Sequence, residues 1–337
     1  MIRRAAFVLS VLLIAAIDAS SQPAEWRDPS THATRLIAVE DGVQLEVLDW
    51  GGSGPAIVLL AGLGDTAHVF DDFAPMLTAR HRVVGVSRRA HGRSSAPATG
   101  YGFARLAEDV VRVIDAVGVN QPVVVGHSIA GEELHVLGAR YSAKLKGLVY
   151  IDAAFNRADG SDDYDAVART LPPAPRPAAG DLASFAALRS FLERTQGPAG
   201  PEAHLRARYV GNADGTVAGP WMPGLPIRQA LSREMPAANA PYNPEPIRVP
   251  ALAMYAVPGS AADLMRRWYN ADDPASRDGV QTLFRLARER FGRHAKWFEA
   301  FAVRGRVTEI PGAHHLFISH PREVVQQVEG FMSSLTP

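Results

Sequence analysis

The 337-residue sequence contains no cysteine, which excludes disulfides, zinc–thiolate sites, iron–sulfur clusters and a thiol nucleophile together. Covalent catalysis must use another side chain. The absence also suits an oxidising compartment. Lysine is scarce: Lys144, Lys146 and Lys296 are the only three, which with the abundant Ala, Gly and Pro reads as a bias in usage rather than a binding signal. An excess of either charge is missing too. With 35 basic and 35 acidic side chains, the overall field gives no reason to expect nucleic acid or an acidic membrane surface as partner. No apolar run is long enough to span a bilayer; Ala5 to Ile17, ended by Asp18, falls short of the ~20 residues needed.

What is present is ordinary globular material, 47% hydrophobic and 21% charged, enough to bury a sizeable core and unlike a disordered, collagenous or coiled-coil chain. The length suits one large α/β domain with an insertion. Residues 1–21 place Arg3 and Arg4 before the apolar run and small residues at Ala19, Ser20 and Ser21 after it, the order of a secretory signal. The expectation is export to the periplasm or beyond, with cleavage after Ala19 or Ser21 and no stable membrane insertion afterwards; the alternative is an uncleaved anchor. The fold should begin near Thr31.

Leu36 to Glu40 and Val43 to Trp50 are β-rich and joined by Asp41-Gly42, a dipeptide suited to the positive φ angles of a tight hairpin. Short apolar runs without polar alternation follow at Ala56–Leu60, Val83–Val86, Val123–Val125 and Leu148–Ile151, and two further strands are expected at Ala251–Ala256 and Arg306–Ile310. Such runs suit parallel strands covered on both faces. Between them lie helical patterns, clearest where Phe103, Leu106, Val110, Val113, Ile114 and Val117 form one stripe ending at Gly118, a C-cap residue. A last amphipathic helix spans Pro321 to Leu335. The order implies a mostly parallel sheet with helices on both faces. Alternation stops over residues 153–249, where proline clusters separate helical pieces such as Asp181–Thr195. That stretch reads as a lid inserted between core segments 31–152 and 250–337.

Gly126-His127-Ser128-Ile129-Ala130 follows an all-valine strand and precedes a helix-compatible run. A serine on so sharp a turn needs small residues two before and two after it, and Gly126 and Ala130 meet that need. Here the chain resembles the α/β-hydrolase superfamily, whose order residues 31–337 follow from end to end. The resemblance implies an eight-stranded, mostly parallel sheet and Ser128 as nucleophile. A serine hydroxyl needs a base held by a carboxylate. Ile310-Pro311-Gly312-Ala313-His314-His315 resembles the family's histidine loop, which points to His315 as base with His314 the competitor. No metal is expected there, since no carboxylate stands nearby in sequence. For the acid, Asp152 ends a strand, as in some dehalogenase relatives, and is preferred over Asp263, which lies beyond Ala251–Ala256. Ala61-Gly62-Leu63-Gly64 resembles the oxyanion loop, implying the Leu63 and Ile129 amides as donors. Arg88 to Ser94 resembles the family's arginine–glycine loop and reads as a structural, partly solvated loop rather than an anion site. Glu132 and Glu133 suit the helix dipole.

Gly62-Leu63-Gly64-Asp65 lacks the later glycine and lysine of a P-loop, and no Gly-x-Gly-x-x-Gly follows the first strand. The expectation is a serine hydrolase, without cofactor or metal, acting on an ester, lactone or related acyl bond of a mainly apolar small molecule. Amide, thioester and peroxide chemistry on the same residues stay open. The reading from another class is a ligand-binding protein that keeps the fold without turnover.

Overall fold

The computed structural model of the chain describes residues 26–157, 159, 163–235 and 245–335; the expected signal segment lies outside them. The opening strands β1 (Ala33–Glu40) and β2 (Val43–Gly51) pair antiparallel. Their turn uses Gly42 at φ +70°, as Asp41-Gly42 demands. Next come β3 (Ala56–Leu60), β4 (Arg82–Val86), helix α1 (Phe103–Val117), β5 (Val123–His127), α2 (Ala130–Arg140) and β6 (Gly147–Ile151). After an inserted segment the core resumes.

That segment holds α3 (Tyr164–Ala168), α4 (Phe185–Gln196), α5 (Glu202–Arg208), a small hairpin of β7 (Tyr209–Gly211) with β8 (Val217–Pro220), and α6 (Leu225–Glu234). It has an apolar cluster of its own, including Phe185, Leu188, Phe191, Leu205 and Val217. The helix expected over Asp181–Thr195 starts later, at Phe185, because Ser184 Oγ accepts from Ala187 N (3.1 Å) as its N-cap. The core then finishes with β9 (Ala251–Val257), α7 (Pro274–Phe301), β10 (Gly305–Pro311), the short α8 (Leu316–Ser319) and α9 (Pro321–Ser334).

The eight core strands lie in the order β1-β2-β4-β3-β5-β6-β9-β10, antiparallel only at the β1–β2 and β2–β4 pairings. Strands β3, β5 and β6 are buried along their whole length, which explains their unbroken apolar runs. Alternate residues face opposite layers. Val58, Leu60, Val124, Leu148 and Tyr150 pack with α1, α2 and Phe298 of α7. Ile57, Leu59, Val125, Val149 and Ile151 pack with Phe70, Phe73 and the Val324, Val328 and Phe331 stripe of α9. Helix α1 ends at Gly118 in the left-handed conformation (φ +71°), its N–H bonded back to the last turn. Among the described residues no helix is long and apolar enough to cross a membrane.

Candidate active site

Parallel strands send their carboxyl ends to one sheet edge, where open α/β sheets gather ligands. Five loops meet there, after β3, β4, β5, β6 and β10. The β5 loop is the elbow. Ser128 has φ +55°, a conformation that costs a non-glycine residue about 1–3 kcal/mol unless its surroundings enforce it. They do. A Cβ on Gly126 would stand 2.9 Å from Leu134 Cδ1, and one on Gly131 would stand 1.9 Å from the Ala153 carbonyl oxygen. Strand, helix and neighbouring loop approach closely only because these positions are bare. No side chain caps the start of α2, so the Ser128 hydroxyl is not spent as a helix cap.

In the sheet His127 pairs with Ile151, and Ser128 N donates to Ile151 O (3.3 Å). The residue after Ile151 is Asp152, itself at φ +45°. Asp152 Oδ1 accepts from Ala256 N (3.1 Å), while Oδ2 lies 2.5 Å from His314 Nδ1. A carboxylate oxygen of this kind accepts, so Nδ1 carries the proton and Nε2 keeps its lone pair. Burial lowers the proton affinity of His314, but the Asp152 hydrogen bond and the charges of Asp152 and Asp65 outweigh it and raise its pKa above the usual histidine value. Its side chain is still 46% exposed, open to a ligand.

Pairing within the histidine loop therefore differs from the sequence expectation. His315, expected opposite Asp152, instead points its Nε2 at Asp65 Oδ2 (3.2 Å). Successive side chains leave this tight turn on different sides, and His315 stands at the start of α8. His127 braces the loop: its Nε2 donates to the His314 carbonyl (3.0 Å), and its ring centroid lies 4.4 Å from that of His314. The other acid candidate, Asp263, is engaged elsewhere. Its Oδ2 accepts from Gly259 N (2.8 Å) and Ser260 N (3.0 Å), capping a short 3₁₀ turn.

The β3 loop, Ala61 to Asp65, is held from three sides. Arg88 donates to the Gly62 and Ala61 carbonyls (2.7 Å each) and pairs with Glu133. Neutral His91, pushed down to about 4 by burial and by Arg88, donates from Nδ1 to the Arg89 carbonyl (2.9 Å) and accepts at Nε2 from Gly64 N (3.1 Å). Asp65 bonds His315, with Arg208 Nη1 and the His204 ring each 3.5 Å away. Burial pushes the Asp65 carboxyl up, yet the His315 bond and the nearby Arg208 hold it well below the usual aspartate value. His204 is pushed down to about 3 by burial. Among the described residues, neither the Leu63 nor the Ile129 amide donates to a protein acceptor.

The arginine loop is partly solvated, with Gly92 and Arg93 exposed, but its two leading arginines are buried. Arg88 is 6% exposed and Arg89 1%, the latter clamped by Asp109 and Glu40. Burial drives the Glu133 carboxyl above the usual glutamate value, and Arg88 offsets this only in part. Sequence reading assigned Glu133 to the helix dipole and did not single out Asp65, His91 or His204. Each gains its role from a residue tens of positions away, and no local pattern marks it. Asp65 is also the carboxylate that the sequence around His314-His315 lacked: Asp65, His127 and His315 offer donor atoms all within 4.8 Å of one another. Two cavities flank the site. One of about 530 Å³ runs under Trp221, Met222, Leu231 and Met235 to Leu63, and one of about 800 Å³ reaches Asp152 and His314.

A family model described as the alpha/beta hydrolase fold matches residues 55–197. The chain has that fold, and its likeness to known proteins is to α/β hydrolases. It is similar to the magnesium-chelatase 30 kDa subunit of Rhodobacter capsulatus, 32% identical over 43% of this chain and 50% of that one. It is also 30% identical to the 2-(acetamidomethylene)succinate hydrolase of Mesorhizobium japonicum, over 30% of this chain and 36% of the other. The chain thus spans half or less of the length of these curated relatives. A solved E-2-(acetamidomethylene)succinate hydrolase superposes with a TM-score of 0.58 at 18% identity, over 90% of this chain and 99% of that one.

Proposed function

We propose that this protein is a serine hydrolase that cleaves an ester, lactone or related acyl bond of a mainly apolar small molecule through an acyl-enzyme. The observation that carries the reading is the Asp152–His314 hydrogen bond (2.5 Å) set beside the strained turn of Ser128. In this reading Asp152 fixes the ring and its tautomer, and His314 Nε2 takes the Ser128 proton as Oγ attacks the carbonyl carbon. The Leu63 and Ile129 amides hold the developing oxyanion, each worth about 3–4 kcal/mol. His314 then returns the proton to the leaving group, and water releases the acyl part by the same steps. Trp221, Met222, Leu231 and Met235 supply an apolar wall, which favours an apolar substrate part and casts the inserted segment as a lid. Residues 1–21 would direct export. Relatives that carry the name hydrolase support the reaction class.

A fluorophosphonate probe tests the proposal. Stoichiometric labelling of the wild type that is lost in Ser128→Ala is expected. No labelling of the wild type sinks it in favour of the binding-protein reading. A series of p-nitrophenyl esters of rising chain length then sets the acyl preference.

A further inference from the structure

A second group of chemically competent side chains lies away from this site. Asp28 and His32 stand in the segment ahead of β1, while His68 lies within, and Asp71 directly after, the 3₁₀ turn Ala67–Phe70 that follows the β3 loop. Their donor atoms all lie within 4.8 Å of one another. The measured edges are His32 Nε2 to Asp71 Oδ1 3.3 Å, His32 Nε2 to Asp28 Oδ2 3.4 Å, His68 Nδ1 to Asp28 Oδ2 3.5 Å and His68 Nδ1 to Asp71 Oδ2 2.9 Å. A tetrahedral ion with ligand bonds of 2.0–2.1 Å spaces its donors by roughly 3.3–3.4 Å. With Asp28 Oδ2 and Asp71 Oδ1 as the ligand atoms, the three edges they make with the histidines at 3.3–3.5 Å fall within about 0.1 Å of that range, and the 2.9 Å contact is a hydrogen bond from His68 to the other Asp71 oxygen.

His32 adds an independent indication. Its side chain is only 5% exposed, and Nε2 is buried with no hydrogen-bond partner. Although both carboxylates lie within 3.4 Å, neither oxygen is aligned to receive a hydrogen from this nitrogen. A buried imidazole nitrogen left unmatched is costly, and a cation between the oxygens removes the mismatch. Outer contacts hold the ligands as metal ligands are commonly held: Trp50 Nε1 donates to Asp71 Oδ1 (3.2 Å) and Ser30 N to Asp28 Oδ1 (2.9 Å). Two carboxylates and two neutral rings carry a charge of −2, balanced by a divalent ion. Two nitrogens and two oxygens in a tetrahedral set suit zinc better than calcium or magnesium, which take more ligands, mostly oxygen.

We infer that Asp28, His32, His68 and Asp71 form a structural zinc site that fastens the segment before β1 to the turn behind the β3 loop. No metal is expected from sequence, because the two halves of the site are Asp-x3-His and His-x2-Asp fragments far apart in the chain. Between His68 and Asp71 lies Phe70, packed on Phe317 of α8 at 4.8 Å. An ion here would stiffen the support shared by the β3 and histidine loops.

The test uses the full chain, stripped by chelator and titrated with zinc by calorimetry, with cobalt(II) absorption as a reporter of tetrahedral geometry. One zinc per chain, intense cobalt visible bands and a melting point raised by several degrees are expected. His32→Ala and His68→Ala should weaken zinc at least 100-fold and abolish the melting shift. Asp28→Asn, at an exposed position that should leave folding intact, should weaken zinc at least 10-fold. Absence of stoichiometric zinc binding by the wild type overturns the inference. So does wild-type binding by all three variants, or binding lost only in His315→Ala, which would move the ion to the Asp65 cluster.

Discussion

At Ser128 the chain holds a non-glycine residue at φ +55°, and at Asp152 another at φ +45°, as it also does at Ala90 and Gln121, so both residues of the proposed chemistry sit on strained backbone. Between them and the last strand stands His314, and residue-level predictions turn on it. His314→Ala should lower turnover on a p-nitrophenyl ester by three or more orders of magnitude, whereas His315→Ala, which frees Asp65 but leaves the Asp152–His314 pair intact, should cost far less. Steady-state kinetics on the two variants decides the assignment, and the reverse ranking restores His315 as base. The pH dependence follows from the raised pKa of His314. A general base works only when neutral, so kcat/KM should rise with pH through a value above about 6.5, the unperturbed histidine pKa. In Asp152→Asn the raising groups are reduced to Asp65, and that limb should move to lower pH while turnover falls by about 10⁴. An unshifted limb means that another group titrates.

Elements set these residues in place through contacts that cross the sheet edge. Arg88, at the end of β4, holds the carbonyls of the β3 loop and Glu133 of α2 together. Arg88→Met should leave a buried carboxylate and two carbonyls unpaired, costing about 3–5 kcal/mol of stability and lowering kcat more than it raises KM. Chemical denaturation and ester kinetics together check it; wild-type stability would show that Glu133 is carried neutral without its partner. Where an element was legible in sequence, one force dominated. Val123 to Val125 is buried on both faces, and Asp41-Gly42 can hardly do other than turn. Helix α7 went unread because its buried positions, Ser276, Val280, Leu283, Leu286, His294 and Phe298, mix polar with apolar residues and make a sparse stripe. The hairpin of β7 and β8 is only three and four residues per strand, too short for an alternation to show.

Across the whole molecule, the site is a meeting of parts distant in sequence: Asp65 from the β3 loop, His204 and Arg208 from α5, and His315 from the chain's last quarter. The pKa of Asp65 is lowered in the fold, so the group contributes stability above the unfolded aspartate value near 3.9, and that contribution is lost as pH falls through the folded value. Thermal melts from pH 7 downward should therefore show a shallower acid decline in Asp65→Asn than in the wild type. Parallel curves would mean that the cluster adds nothing to acid stability. The sequence by itself determined the opening hairpin, the parallel core strands and the tight turn around Ser128, because these rest on local patterns: apolar runs, turn dipeptides and small residues flanking a sharp bend. Only the tertiary structure decided that Asp152 faces His314, that His315 belongs to Asp65, and that Asp28 and His32 meet His68 and Asp71. Adjacent histidines are alike in sequence, and a carboxylate's partner is set by where another strand or loop delivers it.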